Sequence, residues 1–179
     1  MRTFVSKFYL KGYKIDQRIM KITAQDEYGL RILVRIAKCK DKSGLSIPQL
    51  SDAEGLSQPH VAKLTRILRM EGLMNSTKGH VGGYILTRPA ADITVNDVLK
   101  TLGGRLFDEE FCANHVGVIK LCTNSVDCSI RSLWTMVQST IDKLLDKITL
   151  ADLSNSEKDA ACTFQSLFEK IPTNMENKN

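Results

Sequence analysis

Two glycines placed to stop helices, Gly55 and Gly72, divide residues 46–87 into a short helix, a tight turn, a second helix and a hairpin. Few folds accept that order at that spacing. Ser46 is a good N-cap, and Pro48 falls in the first turn, where a missing N–H costs nothing. The short helix places Leu50 and Ala53 inward, Gly55 ends it and Leu56 plugs the turn. Ser57 is the next N-cap, and the second helix runs to Glu71 with Gly72 as its C′ residue. Val61, Leu64 and Leu68 share its inner face. His60, Lys63, Arg66 and Arg69 step by three along another face, with Ser57 and Gln58 at its start. A short helix, a glycine turn and a second helix with a basic stripe read as a helix-turn-helix. In such a unit the start of the second helix meets base edges, while Arg and Lys reach phosphates. The plain alternative for the stripe is a solvated polar face.

The segment after the second helix strengthens the helix-turn-helix reading. Leu73 to Thr77 and Tyr84 to Thr87 read as two strands. Between them lies the glycine-rich turn Lys78-Gly-His-Val-Gly-Gly. A hairpin directly after a helix-turn-helix is a wing. Its tip carries Lys78 and His80, and its glycines permit close approach to a sugar-phosphate backbone. The turn is neither GxGxxG nor a P-loop, so it does not read as a nucleotide site. Charge points the same way. The chain carries +5 overall, with five basic and one acidic side chain in residues 1–19, eleven and six in 20–90, and nine and thirteen in 91–179. A basic first half suits a polyanion.

Flanking segments complete the architecture. Gln25 to Lys40 is a helix buried on most sides, and Asp41 to Gly44 breaks it. Thr94 caps a helix from Val95 to Thr101, ended by Gly103-Gly104. Residues 105–127 show no periodicity. From Ile130 the apolar positions Leu133, Trp134, Val137, Ile141, Leu144, Leu145 and Ile148 form one long stripe, which predicts a helix that pairs with its twin in a C2 homodimer. Ser154-x-x-Glu157 reads as a capping box before a last helix with Phe164, Leu167 and Phe168, which Pro172 ends. The expected fold is mainly α with a small β-hairpin wing: a winged helix-turn-helix plus a long dimerisation helix. The expected divisions are a basic extension (1–19), a DNA-binding domain (20–101), a cysteine-rich loop (102–128), a dimerisation helix (129–153) and a C-terminal helix with a disordered tail (154–179). No run approaches the roughly 18 apolar residues of a membrane span. The first 20 residues lack the apolar core and cleavage site of a secretory signal. A cytoplasmic protein is expected.

Five cysteines, Cys39, Cys112, Cys122, Cys128 and Cys162, make an odd count that argues against a disulfide framework. Cys112, Cys122 and Cys128 fall close together without paired CxxC knuckles. Three thiolates on one loop fit an iron–sulfur cluster with one further ligand, and thiolate softness selects iron–sulfur or zinc over magnesium or calcium. His115, Glu27 and Asp127 are candidates for that ligand. Cys39 and Cys162 read as small buried hydrophobes.

Taken together, MKITAQDEYGLRILVRIAK from Met20, GLSQPHVAKLTRILRMEGLMNSTKGHVGGYILTR from Gly55, the three-cysteine loop and ITLADL from Ile148 resemble the Rrf-type family of winged-helix transcriptional regulators. The resemblance covers about residues 20–153. It implies a homodimeric repressor or activator with one iron–sulfur cluster per subunit, 2Fe–2S favoured over 4Fe–4S. Cys112, Cys122 and Cys128 would hold the cluster. Some members use a histidine three residues after the last cysteine; here that position is Arg131, which cannot ligate. Others use a carboxylate near the start of the first helix that reaches across the dimer, and that position matches Glu27. The plain reading of Glu27 is an ion pair with Arg31 one turn on. Two features depart from the family: the gap between Cys112 and Cys122 is longer than usual, and residues 1–19 precede the usual start. That arm is either a DNA-contacting extension or the product of an upstream start codon.

The leading function is a transcriptional regulator that senses iron–sulfur status, redox state or nitric oxide through the cluster. The alternative is a cluster-free thiol switch of the same fold, in which the cysteines oxidise reversibly. A small metalloenzyme ranks last. There is no Ser/His/Asp set, no HExxH and no catalytic carboxylate pair, and two of the three histidines lie in DNA-facing elements.

Overall fold

The computed structural model describes residues 22–77, 82–103, 107, 112 and 126–169. The extension 1–19, the wing tip with Lys78 and His80, the ligand candidates Cys122 and His115, and the tail after Glu169 lie outside the described residues.

Helix α1 spans Ala24–Ala37. It starts in a capping box: the Thr23 hydroxyl accepts from the Asp26 N–H (3.1 Å), and the Asp26 carboxylate accepts from the Thr23 N–H (2.9 Å). It ends three residues before the expected Lys40. The Cys39 N–H bonds back to the Ile36 carbonyl, which tightens the last turn, and Asp41 then accepts from the Ser43 N–H at 2.9 Å. That bond and the Ser43 hydroxyl hold the Asp41 carboxyl below its ordinary value. Gly44 takes a positive φ, and a Cβ there would overlap the Tyr84 carbonyl oxygen.

Helix α2 (Ile47–Glu54) and helix α3 (Gln58–Met70) form the helix-turn-helix. Ser46 caps α2 together with Gln49, and Gly55 closes it in the left-handed region. Leu50 is fully buried as expected, but Ala53 is exposed; Ser51 and Glu54 face inward instead. The reason is the α1–α2 contact. The Glu54 carboxylate receives the guanidinium groups of Arg31 (2.8 Å) and Arg35 (2.7 Å), both from α1. Arg31 also donates to the Glu54 carbonyl at 3.0 Å, so the cations meet the negative end of α2 as well as its acid.

Strands β1 (Met74–Ser76) and β2 (Tyr84–Leu86) pair antiparallel, with Asn75 opposite Ile85. Leu45 bridges the outer side of β2 at Tyr84. A 3₁₀ turn (Ala90–Asp92) leads to α4 (Val95–Leu102), which Thr94 and Asp97 cap. The core gathers Ile32 and Leu33 of α1, Leu50 of α2, Leu64 and Leu68 of α3, and Val98 of α4, each fully buried.

The helix expected over 129–153 is two helices. Helix α5 spans Ser129–Leu145, and after a turn α6 covers Leu150–Leu153. Thr149 and Asp152 form a further capping box at that restart. The turn is held because residues 148–150 pair with 93–95: the Val95 N–H donates to the Ile148 carbonyl (2.8 Å) and the Leu150 N–H to the Ile93 carbonyl (2.9 Å). Helix α7 spans Glu157–Glu169, with Phe164 and Leu167 half-buried. Its cap is Ser156 with Asp159, not Ser154 with Glu157: the Ser154 hydroxyl donates to the Leu150 carbonyl, so it closes α6. No helix among the described residues is long and apolar enough to cross a membrane.

Replacing Glu54 by Ala should lower the unfolding free energy by about 2 kcal/mol in urea denaturation, because two charged hydrogen-bonding partners lose their acceptor. A change below about 0.5 kcal/mol would show that the two arginines hold α2 through its carbonyls alone.

Candidate nucleic-acid interface and cysteine site

The outer face of α3 is cationic. Lys63, Arg66 and Arg69 are exposed on it, together with Ser57 and Gln58 at its start. Ser57 occupies the N-cap position, yet its side chain makes no capping hydrogen bond. The Ser57 hydroxyl therefore leaves the Gln58 and His60 amides uncapped, while Pro59 between them has no N–H, and two such donors suit an anion such as a backbone phosphate. Where α3 ends and the hairpin begins, Arg69, Asn75, Ser76 and Ile85 line an open groove of about 650 Å³. The hairpin neck below it is clamped by Thr77, whose hydroxyl accepts from the Gly83 N–H (2.7 Å) and donates to the Ser43 carbonyl (2.8 Å). Lys78 and His80 belong to the tip outside the described residues.

His60 does not continue the exposed stripe. It is half-buried, its ring edge-on to Tyr28 of α1 with centroids 5.4 Å apart. The Arg31 guanidinium lies over the same tyrosine at 5.7 Å. The cause is helix geometry. Each step of three residues turns an α-helix about 300°, so a three-residue series drifts about 60° per step. A series that is central at Arg66 reaches the buried edge by His60.

The cysteines differ in their surroundings. Cys112 and Cys128 are half-buried free thiols, and Cys122 lies outside the described residues. Cys128 is the N-cap of α5, and its Sγ accepts the Arg131 N–H at 3.4 Å. Cys39 and Cys162 are not buried. Cys39 falls beyond the end of α1 and is half-exposed near the Asp41 carbonyl, and Cys162 is exposed on α7, which buries Ala160. Among the described residues no group of three His, Cys, Asp or Glu side chains stands together as a metal site. Glu27 therefore does not join Cys112 and Cys128 within one chain. It is exposed at the start of α1, and its expected pairing with Arg31 is replaced by the Arg31–Glu54 bond. Asp127, just before Cys128, is also exposed.

Three features escaped the reading of the sequence. One is Glu54; an acid in the last turn of a helix opposes the dipole and signals a partner elsewhere. The second is the Tyr28–His60 contact, which no local pattern announces. The third is the buried amide of Gln138, which starts a polar row with Asp142 and Asp146 at four-residue steps along α5.

Lys63→Ala should weaken binding to duplex DNA and reduce the salt slope of log K by about one. His60→Ala should instead leave that slope unchanged while lowering thermal stability. Salt titrations by fluorescence anisotropy separate the two; an unchanged slope for Lys63→Ala would remove this face from the DNA.

A family profile described as Rrf2, iron-dependent transcriptional regulator, matches residues 22–156. The chain is 33% identical over 134 residues to protein rrf2 of Nitratidesulfovibrio vulgaris, a match covering 75% of this chain and 87% of that one. The structure of T. potens IscR is similar with a TM-score of 0.57 at 30% identity, covering 74% of this chain and 85% of that one. CymR, the global cysteine regulator of B. subtilis, is similar with a TM-score of 0.55 at 28% identity, covering 76% and 97%. The shared winged helix-turn-helix is thus that of DNA-binding regulators rather than of enzymes. The chain belongs to the Rrf2 family of transcriptional regulators.

Proposed function

We propose that this chain is a repressor that binds operator DNA as a homodimer and senses iron–sulfur status, redox state or nitric oxide through a cluster on Cys112, Cys122 and Cys128. The observation that carries the reading is the position of Cys128. Its sulfur sits at the N-terminus of a 17-residue helix and accepts a backbone N–H. A donor aimed at sulfur stabilises negative charge there, as the surroundings of metal-bound thiolates do. The donor set also fits: Cys112 and Cys128 are free and partly shielded from solvent. The iron-dependent description of the family and the likeness to IscR support the same reading.

Glu27 suits a ligand supplied in trans. Its carboxylate is exposed and makes no ion pair among the described residues, and it does not group with Cys112 and Cys128 of its own chain. His115 is the alternative. On this reading the cluster is taken as 2Fe–2S rather than 4Fe–4S, which the iron and sulfide count decides. When bound, the cluster supplies a centre that electrons, oxygen or nitric oxide can alter. The protein then needs only to hold α1 of one subunit against the cysteine segment of the other in one state and release it in the other.

DNA contact falls to Ser57, Gln58, Lys63, Arg66 and Arg69, with Lys78 and His80 of the wing on the backbone. Dimerisation falls to α5. Ile130, Leu133 and Trp134 share one side of it at 60%, 48% and 44% exposure. Fully burying such a side chain is worth about 1.5–3 kcal/mol, so a second copy gains by covering them.

The second reading, a cluster-free thiol switch, draws on the likeness to CymR, the global cysteine regulator of B. subtilis. Iron and sulfide analysis of anaerobically purified protein separates the two. Two irons and two sulfides per chain with structured visible bands support the cluster; no iron in protein never exposed to air supports the thiol switch.

Cys128→Ala should abolish the visible spectrum, and Glu27→Ala should shift it while the dimer persists. A full spectrum in Cys128→Ala would sink the triad assignment. Trp134→Glu should convert the dimer to monomer in sedimentation and weaken operator binding by at least tenfold; a persistent dimer would move the interface off α5.

A further inference from the structure

Helix α5 buries one side chain, and it is polar: Gln138, 7% exposed. Both ends of its amide are used. Its Oε1 accepts the N–H of Phe107, in the segment between α4 and Cys112, at 3.1 Å. Its Nε2 donates to Asp142 Oδ1 at 2.7 Å. One turn further on, Asp142 and Asp146 meet α4. The Nδ2 of Asn96 donates to Asp146 Oδ1 at 2.7 Å and to the Asp142 carbonyl at 3.4 Å. Asn96 is 2% exposed in the first turn of α4. Val98 and Leu102 of α4 then pack in the same core as Leu64 and Leu68 of α3. Hydrogen bonds and the backbone of α5 thus link Phe107, through Gln138, Asp142 and Asp146, to Asn96 of α4, the helix that packs behind α3.

We propose that Gln138 is a positioning residue that couples the cysteine segment to α4 and so to α3. The coupling is directional because the amide cannot rotate without giving up its bonds to Phe107 and Asp142. A shift of the segment at Phe107 strains a hydrogen bond to a buried carbonyl oxygen, which is unfavourable. Gln138 then follows the segment, and Asp142 follows Gln138. The reading rests on the cysteine loop being the sensor, but the line of bonds exists whatever the loop senses.

The test uses the full chain, anaerobically loaded and then stripped with an iron chelator. Operator affinity and amide hydrogen exchange are read in both states. In the wild type, stripping should change exchange at Phe107 and in the first turn of α4 together, and shift operator affinity about 5- to 150-fold, the usual range of allosteric coupling. Gln138→Leu fills the same space without either bond. It should keep the visible spectrum and the dimer, yet shrink the affinity shift to under about threefold, with α4 no longer following Phe107. Asp142→Ala should act likewise. Asp142→Asn keeps an acceptor for Gln138 and should retain the shift. A full shift in Gln138→Leu, or exchange in α4 that still follows Phe107 there, overturns the proposal and leaves the sensor reading standing. If the wild type takes up no iron, the sensor reading falls instead. The cysteines are then alkylated with iodoacetamide: a joint response of Phe107 and α4 that Gln138→Leu abolishes upholds the coupling, and independent responses overturn it.

Discussion

The pairing of residues 93–95 with 148–150 is the joint on which the arrangement depends. Two capping boxes stand back to back across it, Thr94 with Asp97 and Thr149 with Asp152. Each box satisfies orphan amides at the start of its own helix, so the backbone groups left over can bond across the joint. Leu150 comes next and is fully buried in the core of the DNA-binding unit. The long helix is therefore anchored to that unit at its C-terminal end. Its N-terminal half, with Cys128 as cap, carries the exposed apolar side chains. The exposed apolar side chains thus lie toward the end of the helix that is away from this anchor.

The helix-turn-helix was legible because local chemistry and global fold agree there. Capping residues, helix-stopping glycines and the inner positions Val61, Leu64 and Leu68 all point to one answer. The errors arose where a tertiary contact overrode a local pattern. Ala53 looks like an inward position by spacing, but Glu54 faces inward because two arginines of α1 meet it. The apolar steps through Ile148 suggest one unbroken helix. The ending at Leu145 is set by pairing with a strand-like segment more than fifty residues earlier in the chain. In that case a local sign was present: Thr149-x-x-Asp152 has the spacing of a capping box, and it marks a restart. Ser156 with Asp159 obeys the same rule, two residues beyond Ser154-x-x-Glu157, which has the spacing without the bonds.

For the candidate site, residue types were legible and their arrangement was not. The sequence marked a cysteine-rich segment just ahead of the long helix. Neither could show that Cys128 caps that helix, or that Arg31 turns from Glu27 to Glu54. The second point matters because it removes the local partner of Glu27. A side chain next to a cation in sequence usually gains a few tenths of a kcal/mol from it. Here a buried acid one helix away is the better acceptor for Arg31, since each charged hydrogen bond is worth about 1.5–3 kcal/mol.

Placing a buried amide on a helix that otherwise exposes apolar side chains has a physical logic. An apolar face alone specifies contact but not register, because hydrophobic burial is non-directional. Hydrogen bonds are directional and fail abruptly when their geometry is lost. On α5 the two kinds of side chain follow one another along a single row of four-residue steps: Ile130 and Trp134 are exposed in its first half, and Gln138, Asp142 and Asp146 continue it. The apolar stretch is open surface, and the polar stretch fixes where α4 and the segment at Phe107 sit relative to it. On the proposed reading, this row is the least machinery by which a change at the cysteine segment would reach α4, which packs in one core with α3.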